Sequence, residues 1–221
     1  MQKYWIRKDG NERLLLMAMG WGASADVMFG QSFGQHDVVC LYDYRDMTVD
    51  LSDIRLYNDI TLVGWSFGVW AAEQALKELK FTRAVALVAS PLPINKEYGI
   101  DPRAFAITLN GIIKEGVVKF VTRMCGQYLR EYMQHYSMRD LDGCRRELEI
   151  LGIEGAKPYT PKIQWDEAIL GGNDRIFPTA PAQRYWQEKG VKCTILEGMP
   201  HYIFAERGFI ERYVLCSTTR S

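Results

Sequence analysis

ITLVGWSFGVWAAEQAL, residues 60 to 76, sets a short apolar run in front of a serine flanked by two glycines, with alanine, glutamate and leucine after it. Ile60 to Val63 suits a strand buried on both faces, and residues 67 to 79 carry side chains that favour a helix. The passage from one to the other falls on Gly64-Trp65-Ser66-Phe67-Gly68. Gly-x-Ser-x-Gly alone is a weak signal. Between a buried strand and a helix, however, the two glycines permit close backbone approach and a sharp turn that leaves the hydroxyl exposed. The helix would also aim its free N–H groups and positive dipole end at that hydroxyl. The competing reading makes Ser66 an ordinary helix cap.

Working outward, Arg13 to Met19 is an apolar run ending at Gly20-Trp21-Gly22, Val38 to Tyr42 is a second, and Ala84 to Ala89 follows the helix. Strand, helix and strand with short connections predict a parallel sheet covered by helices, an α/β fold. Residues 94 to 160 interrupt the alternation with helical patterning, many charges and no convincing strand. The rhythm resumes with Glu167 to Leu170, a helix near Ala180 to Lys189, the strand Lys192 to Leu196 and a last helix near Tyr202 to Leu215. The expected organisation is one domain over residues 1–221, with 94–160 as a helical cap insertion and Ser217 to Ser221 frayed.

With 221 residues, 48% hydrophobic and 24% charged, and 27 basic residues against 27 acidic, the composition is that of a soluble globular protein. It argues against a general nucleic-acid binder or a disordered chain. The charged start, Met1 to Lys8, lacks the apolar core of a secretory signal, and no stretch is long and apolar enough to span a bilayer. Five widely spread cysteines read as reduced thiols with no disulfide framework or zinc spacing. A cytoplasmic protein is expected.

A serine hydroxyl is a poor nucleophile until a base takes its proton, so the motif calls for a histidine and a group to orient it. Of the three histidines, His36 precedes the second apolar run, His135 lies in the helical insertion, and His201 follows the last strand. His201 would therefore share the carboxyl edge of the sheet with Ser66, where ligands bind in open α/β sheets. Asp174, in Gly171-Gly172-Asn173-Asp174, follows its own strand at the same edge and is the candidate acid. Each has a plainer alternative as a turn residue. Together they keep the order serine, acid, histidine. The backbone N–H groups of Phe67 and Trp21 are the candidate oxyanion donors.

Met19-Gly20-Trp21-Gly22, Gly64-Trp65-Ser66-Phe67-Gly68, Gly171-Gly172-Asn173-Asp174 and Gly198-Met199-Pro200-His201 together resemble an α/β-hydrolase of biotin synthesis. The resemblance is to the BioG-type pimeloyl-[acyl-carrier protein] methyl ester esterases and runs from about residue 4 to residue 215. It departs from wider hydrolase patterns at Met19-Gly20, where many relatives have His-Gly, and at Asp43-Tyr44-Arg45-Asp46, which lacks a glycine-rich turn. The resemblance implies a serine esterase that removes the methyl group from a pimeloyl chain on acyl-carrier protein through an acyl-enzyme. It implies no metal or organic cofactor.

Along a continuous helix from about Gly116 to Tyr136, Lys119, Arg123 and Arg130 would fall within roughly 40° of one another. Acyl-carrier proteins are acidic, so this basic face, extended by Arg139, Arg145 and Arg146, is a candidate docking surface; the alternative is a solvated face. The resemblance also points to Phe120 and Met124 as lining an acyl tunnel, with core packing as their alternative. The nearest competing functions are a generic carboxylesterase or thioesterase, or a hydrolase scaffold that only binds a ligand.

Overall fold

The computed structural model describes residues 1–135 and 139–216, apart from the side chains of Lys114 and Glu115, so the expected fraying of Ser217 to Ser221 lies outside the described residues. Seven strands form one sheet: β1 (Gln2–Arg7), β2 (Arg13–Ala18), β3 (His36–Tyr42), β4 (Asp59–Trp65), β5 (Arg83–Leu87), β6 (Glu167–Gly171) and β7 (Lys192–Leu196). Their spatial order is β1-β3-β2-β4-β5-β6-β7, with only β1 antiparallel to its neighbour. The α/β expectation holds. Two helices, α1 (Phe67–Ala75) and α6 (Thr179–Glu188), belong to the alternating part of the chain. Four more lie between β5 and β6: α2 (Pro102–Glu115), α3 (Val118–Cys125), α4 (Leu129–His135) and α5 (Leu141–Glu154).

β2 explains why the centre of the sheet is apolar without alternation. Leu14 and Leu16 join Val69, Trp70 and Trp186 on one face, while Leu15 and Met17 join Phe204, Phe209 and Ile210 on the other. Every residue from Leu14 to Met17 is fully buried, and each such side chain contributes about 1.5–3 kcal/mol relative to exposure. The order of strands then fixes where a ligand can sit. From β2 the chain moves outward to β3, then crosses back to place β4 on the other side of β2. The loops leaving β2 and β4 diverge from this switch point and open a crevice at the carboxyl edge.

Three elements differ from the sequence expectation. β1 is an additional edge strand whose Lys3 and Trp5 both bond Asp53, so polar groups occupy a strand that apolar alternation does not reveal. The first helix stops at Ala75, where a turn joins the Leu79 N–H to the Leu76 carbonyl. The last helix is absent as a continuous element: a short 3-10 turn, Ile203–Ala205, is separated from a π-helical turn, Ile210–Leu215, by Gly208 at φ 71°. The Gln31 side chain, by bonding the carbonyls of Phe204 and Glu206 and the N–H of Ile210, holds this broken segment on the sheet. Among the described residues, no helix is long and apolar enough to cross a membrane.

Gly68 on α1 shows how closely helix and sheet approach: a Cβ there would lie 2.0 Å from the Ala18 carbonyl oxygen. Gly111 on α2 has open space around the same position. Gly68→Ala should therefore lower the thermal midpoint strongly or prevent folding, whereas Gly111→Ala should stabilise by about 0.5–1 kcal/mol through helix propensity. Thermal melts of the two variants check this, and equal behaviour would contradict the packing described.

Candidate active site

Ser66 stands at the junction of β4 and α1 with φ 58° and ψ −128°, a conformation that L-residues rarely adopt. Its N–H donates to the Leu87 carbonyl on the neighbouring strand, and its own carbonyl accepts from Val69. The turn closes this tightly because its neighbours lack side chains. A Cβ on Gly64 would come within 2.8 Å of the Val69 Cα, and one on Gly20 within 3.2 Å of the Ser66 Cβ. The Ser66 hydroxyl makes no capping bond to α1. It lies instead 2.8 Å from His201 Nε2.

His201 Nδ1 is 2.7 Å from Asp174 Oδ2, and both side chains are almost fully buried. A carboxylate only accepts, so Nδ1 carries the ring proton and Nε2 is left to accept from the serine hydroxyl. Both partners are fixed from behind. Asp174 Oδ1 accepts from the N–H groups of Ile176 at 2.7 Å and Phe177 at 2.9 Å, and the Trp65 indole N–H donates to the His201 carbonyl at 3.1 Å. The Asn173 N–H bonds the Met199 carbonyl, drawing the loops after β6 and β7 together. In such a chain of bonds an imidazole can accept a hydroxyl proton while the carboxylate stabilises the imidazolium. Trp65 is the contributor that the motif leaves unspoken, because its position inside Gly-x-Ser-x-Gly does not reveal where its indole reaches.

The other histidines lie elsewhere. His36 starts β3 with its ring against the Phe33 carbonyl, and His135 stacks on Phe29 at 3.9 Å.

Trp21 and Phe67 border the cavity beside Ser66 and His201. The Phe67 N–H occupies the first position of α1, before the first intrahelical bond. Among the described residues, no backbone acceptor takes the Trp21 N–H. The Trp21 indole donates to the Cys144 carbonyl on α5 at 2.7 Å and meets Phe120 edge-on at 4.9 Å. Phe120 and Met124 both line the cavity; Met124 belongs to the packed core, and the half-buried Phe120 packs against it. At about 50 Å³ it has room for only a handful of water-sized groups. Beyond Thr108, Phe120 and Arg123, a wider groove of about 520 Å³ runs between α2 and α3.

The continuous helix from 116 to 136 does not form. Gly126, at φ 53°, ends α3 and a 3-10 turn leads into α4, so Arg130 leaves the common face of Lys119 and Arg123. All three remain exposed. Arg139 does not extend that face. Its side chain is 13% exposed and reaches Asp43 at 3.1 Å and Glu147 at 2.9 Å, because two buried carboxylates need a counter-charge. Arg145 bonds Asp142 and the Ile113 carbonyl, while Arg146 is exposed. The Asp43 to Arg139 cluster escaped the sequence reading. Its legible trace is Glu147, a carboxylate on the same helical stripe as Cys144, Leu148 and Leu151.

Among the described residues, no cluster of three or more His, Cys, Asp or Glu side chains is placed to hold a metal ion.

Sheet order, strand–serine–helix turn and the placement of the loops define an α/β-hydrolase. The sequence profile described as Pimeloyl-ACP methyl esterase BioG matches residues 1–212. The crystal structure of BioG from Haemophilus influenzae superposes with a TM-score of 0.85 at 30% identity, covering 94% of this chain and 97% of that one. The chain belongs to the BioG pimeloyl-ACP methyl esterase family. A bromoperoxidase from Bacillus anthracis shares the fold, with a TM-score of 0.70 at 16% identity over 96% of this chain and 94% of its own. A Malonyl-[acyl-carrier protein] O-methyltransferase from Bacteroides fragilis is 31% identical over 187 residues, which are 83% of this chain and 37% of that protein. The chain thus spans little more than a third of that relative.

The thiols of Cys125 on α3 and Cys144 on α5 are suppressed by burial, which pushes Cys125 up to about 12 and Cys144 up to about 11. Iodoacetamide at pH 8 should alkylate the exposed Cys216 of the native protein and spare Cys125 and Cys144 until denaturant is added. Peptide mapping reads the result; native alkylation of either buried thiol would contradict the closed packing of α3 and α5.

Proposed function

We propose that this chain hydrolyses the methyl ester at the far end of a pimeloyl chain carried on acyl-carrier protein, with Ser66 as nucleophile. His201 takes the hydroxyl proton as Ser66 attacks the ester carbonyl, and Asp174 holds the imidazole and balances its charge. The N–H groups of Trp21 and Phe67 receive the oxyanion. The tetrahedral species collapses with loss of methanol, which takes the proton from His201 and leaves an acyl group on Ser66. Water, deprotonated by His201, then attacks the acyl-enzyme; the free carboxylic acid departs and the serine proton returns. The observation that carries this reading is the bonded series from Ser66 Oγ to His201 Nε2 at 2.8 Å and from His201 Nδ1 to Asp174 Oδ2 at 2.7 Å.

Membership of the methyl esterase family supports this substrate. It is consistent with a relative named for methylating a carrier-bound acid, since the ester that a methyltransferase makes belongs to the class cleaved here. Residues 94–160 act as a helical cap within one hydrolase domain, and Phe120 and Met124 form the inner wall against which the acyl end rests. Lys119 and Arg123 on α3, with Arg130 as a separate exposed cation on α4, meet the acidic carrier protein at the cap surface. Contacts there are salt-sensitive, because exposed charges are screened over about 10 Å at 0.1 M ionic strength. Reaction in a reducing cytoplasm agrees with the free thiols.

Mass spectrometry of the carrier-linked methyl ester checks both halves of the proposal. Ser66→Ala should fold normally and lose at least about a thousandfold in kcat; normal loss of the methyl group by this variant would remove Ser66 from the chemistry. Lys119→Glu combined with Arg130→Glu should lower kcat/KM on the carrier-linked ester about tenfold or more, with little effect on a small methyl ester. Equal losses on both substrates would contradict the docking role.

A further inference from the structure

The loop after β2 is fastened at almost every residue. The Tyr44 hydroxyl donates to the Met19 carbonyl at 2.5 Å, and the Trp21 indole donates to Cys144 on α5. The Gly22 N–H reaches Glu147 Oε2 at 3.3 Å, and Arg139 bonds the Ala23 carbonyl at 3.4 Å. Glu147 joins these ties together. Its side chain is wholly buried; Oε1 accepts from the Tyr44 N–H at 2.8 Å while Oε2 accepts from Gly22 and from Arg139. Arg139 in turn spans to Asp43, which also holds Arg45 and has the left-handed φ of 62°.

Stability alone is a weak reason for this cluster, because buried ion pairs are often replaced by apolar side chains at no cost. An apolar side chain cannot, however, aim a peptide group. Glu147 orients the peptide between Trp21 and Gly22, and Cys144 orients the Trp21 indole. With the side chain and the following peptide both fixed, the direction of the Trp21 N–H has little freedom left. Gly22 is at φ 69°, where glycine is at ease and where a loop without such a tie has alternative turns to adopt.

We propose that Glu147, supported by Arg139 and Asp43, is a positioning residue that aims the Trp21 N–H at the developing oxyanion. The helices between β5 and β6 would thus complete the reacting centre as well as cover it. This rests on the reading of Ser66 as nucleophile and Trp21 as oxyanion donor. Glu147 itself touches no reacting atom; it acts through the loop. A misdirected donor weakens binding of the transition state while leaving the ground state almost unchanged, which sets the expected kinetic signature.

Glu147→Gln preserves volume but turns one of the two acceptors into an NH2 group, leaving either Tyr44 or Gly22 facing a donor. On a small methyl ester, kcat should fall at least about tenfold with KM within about twofold of wild type. Affinity for a trifluoromethyl ketone, whose serine adduct carries an oxyanion, should fall by the same factor as kcat/KM. Arg139→Lys, which keeps the charge but not the fork that spans two carboxylates, should show the same pattern at smaller amplitude. Each value is taken per folded molecule, from the unfolding baseline of the same sample. Unchanged kcat, ketone affinity equal to wild type per folded molecule, or failure of both variants to fold would overturn the inference and leave the cluster a structural one. Ser66→Ala, run alongside, separates the two readings: if that variant retains turnover, the nucleophile assignment fails whatever Glu147 does.

Discussion

A left-handed backbone at one serine governs the rest of this molecule. A non-glycine residue at φ 58° and ψ −128° costs of order 1–3 kcal/mol and persists only where its surroundings over-determine it. Here they do so by close approach. Gly64 lets the turn fold back against Val69, Gly68 lets α1 lie on the Ala18 carbonyl, and Gly20 lets the neighbouring loop touch Ser66. The N–H of Ser66 is held by Leu87 on the adjacent strand. The strain is thereby linked to the most buried part of the sheet, and the hydroxyl is delivered to the imidazole instead of capping the helix.

The sheet order gives that serine its company. Because the chain reverses direction across β2, the loops after β2 and β4 diverge at one edge, and the loops after β6 and β7 reach the same rim. Two tryptophans join layers that the strands alone would leave separate. Trp65 ties the serine turn to the His201 backbone, and Trp21 ties the β2 loop to α5. The helices between β5 and β6 are consequently bonded to the loop after β2 at Cys144 and Glu147.

The centre of the fold was legible because both faces of β2, β3 and β4 are buried and write themselves as apolar runs. The meeting of Ser66, Asp174 and His201 was legible from chain order, each following its own strand, β4, β6 or β7, at the carboxyl edge. Legibility failed where a charge has a private partner. β1 hides its strand character because Lys3 and Trp5 serve Asp53, and Arg139 reads as a surface cation although two buried carboxylates hold it inward. It failed again where one glycine redirects a helix. Residues 116 to 136 have the composition of a single helix, and only the φ of Gly126 shows that Arg130 belongs to another. Spacing fixes a face only while the backbone stays regular.

In the proposed mechanism, burial, strain and two hydrogen bonds make Ser66 the reactive hydroxyl of the chain. A fluorophosphonate offered to the folded protein, followed by peptide mapping, tests this most directly. One phosphonyl group on Ser66 is expected, with labelling slowed by orders of magnitude in His201→Ala at unchanged thermal midpoint. Rapid labelling at another residue, or labelling of Ser66 that is indifferent to loss of His201, would contradict it.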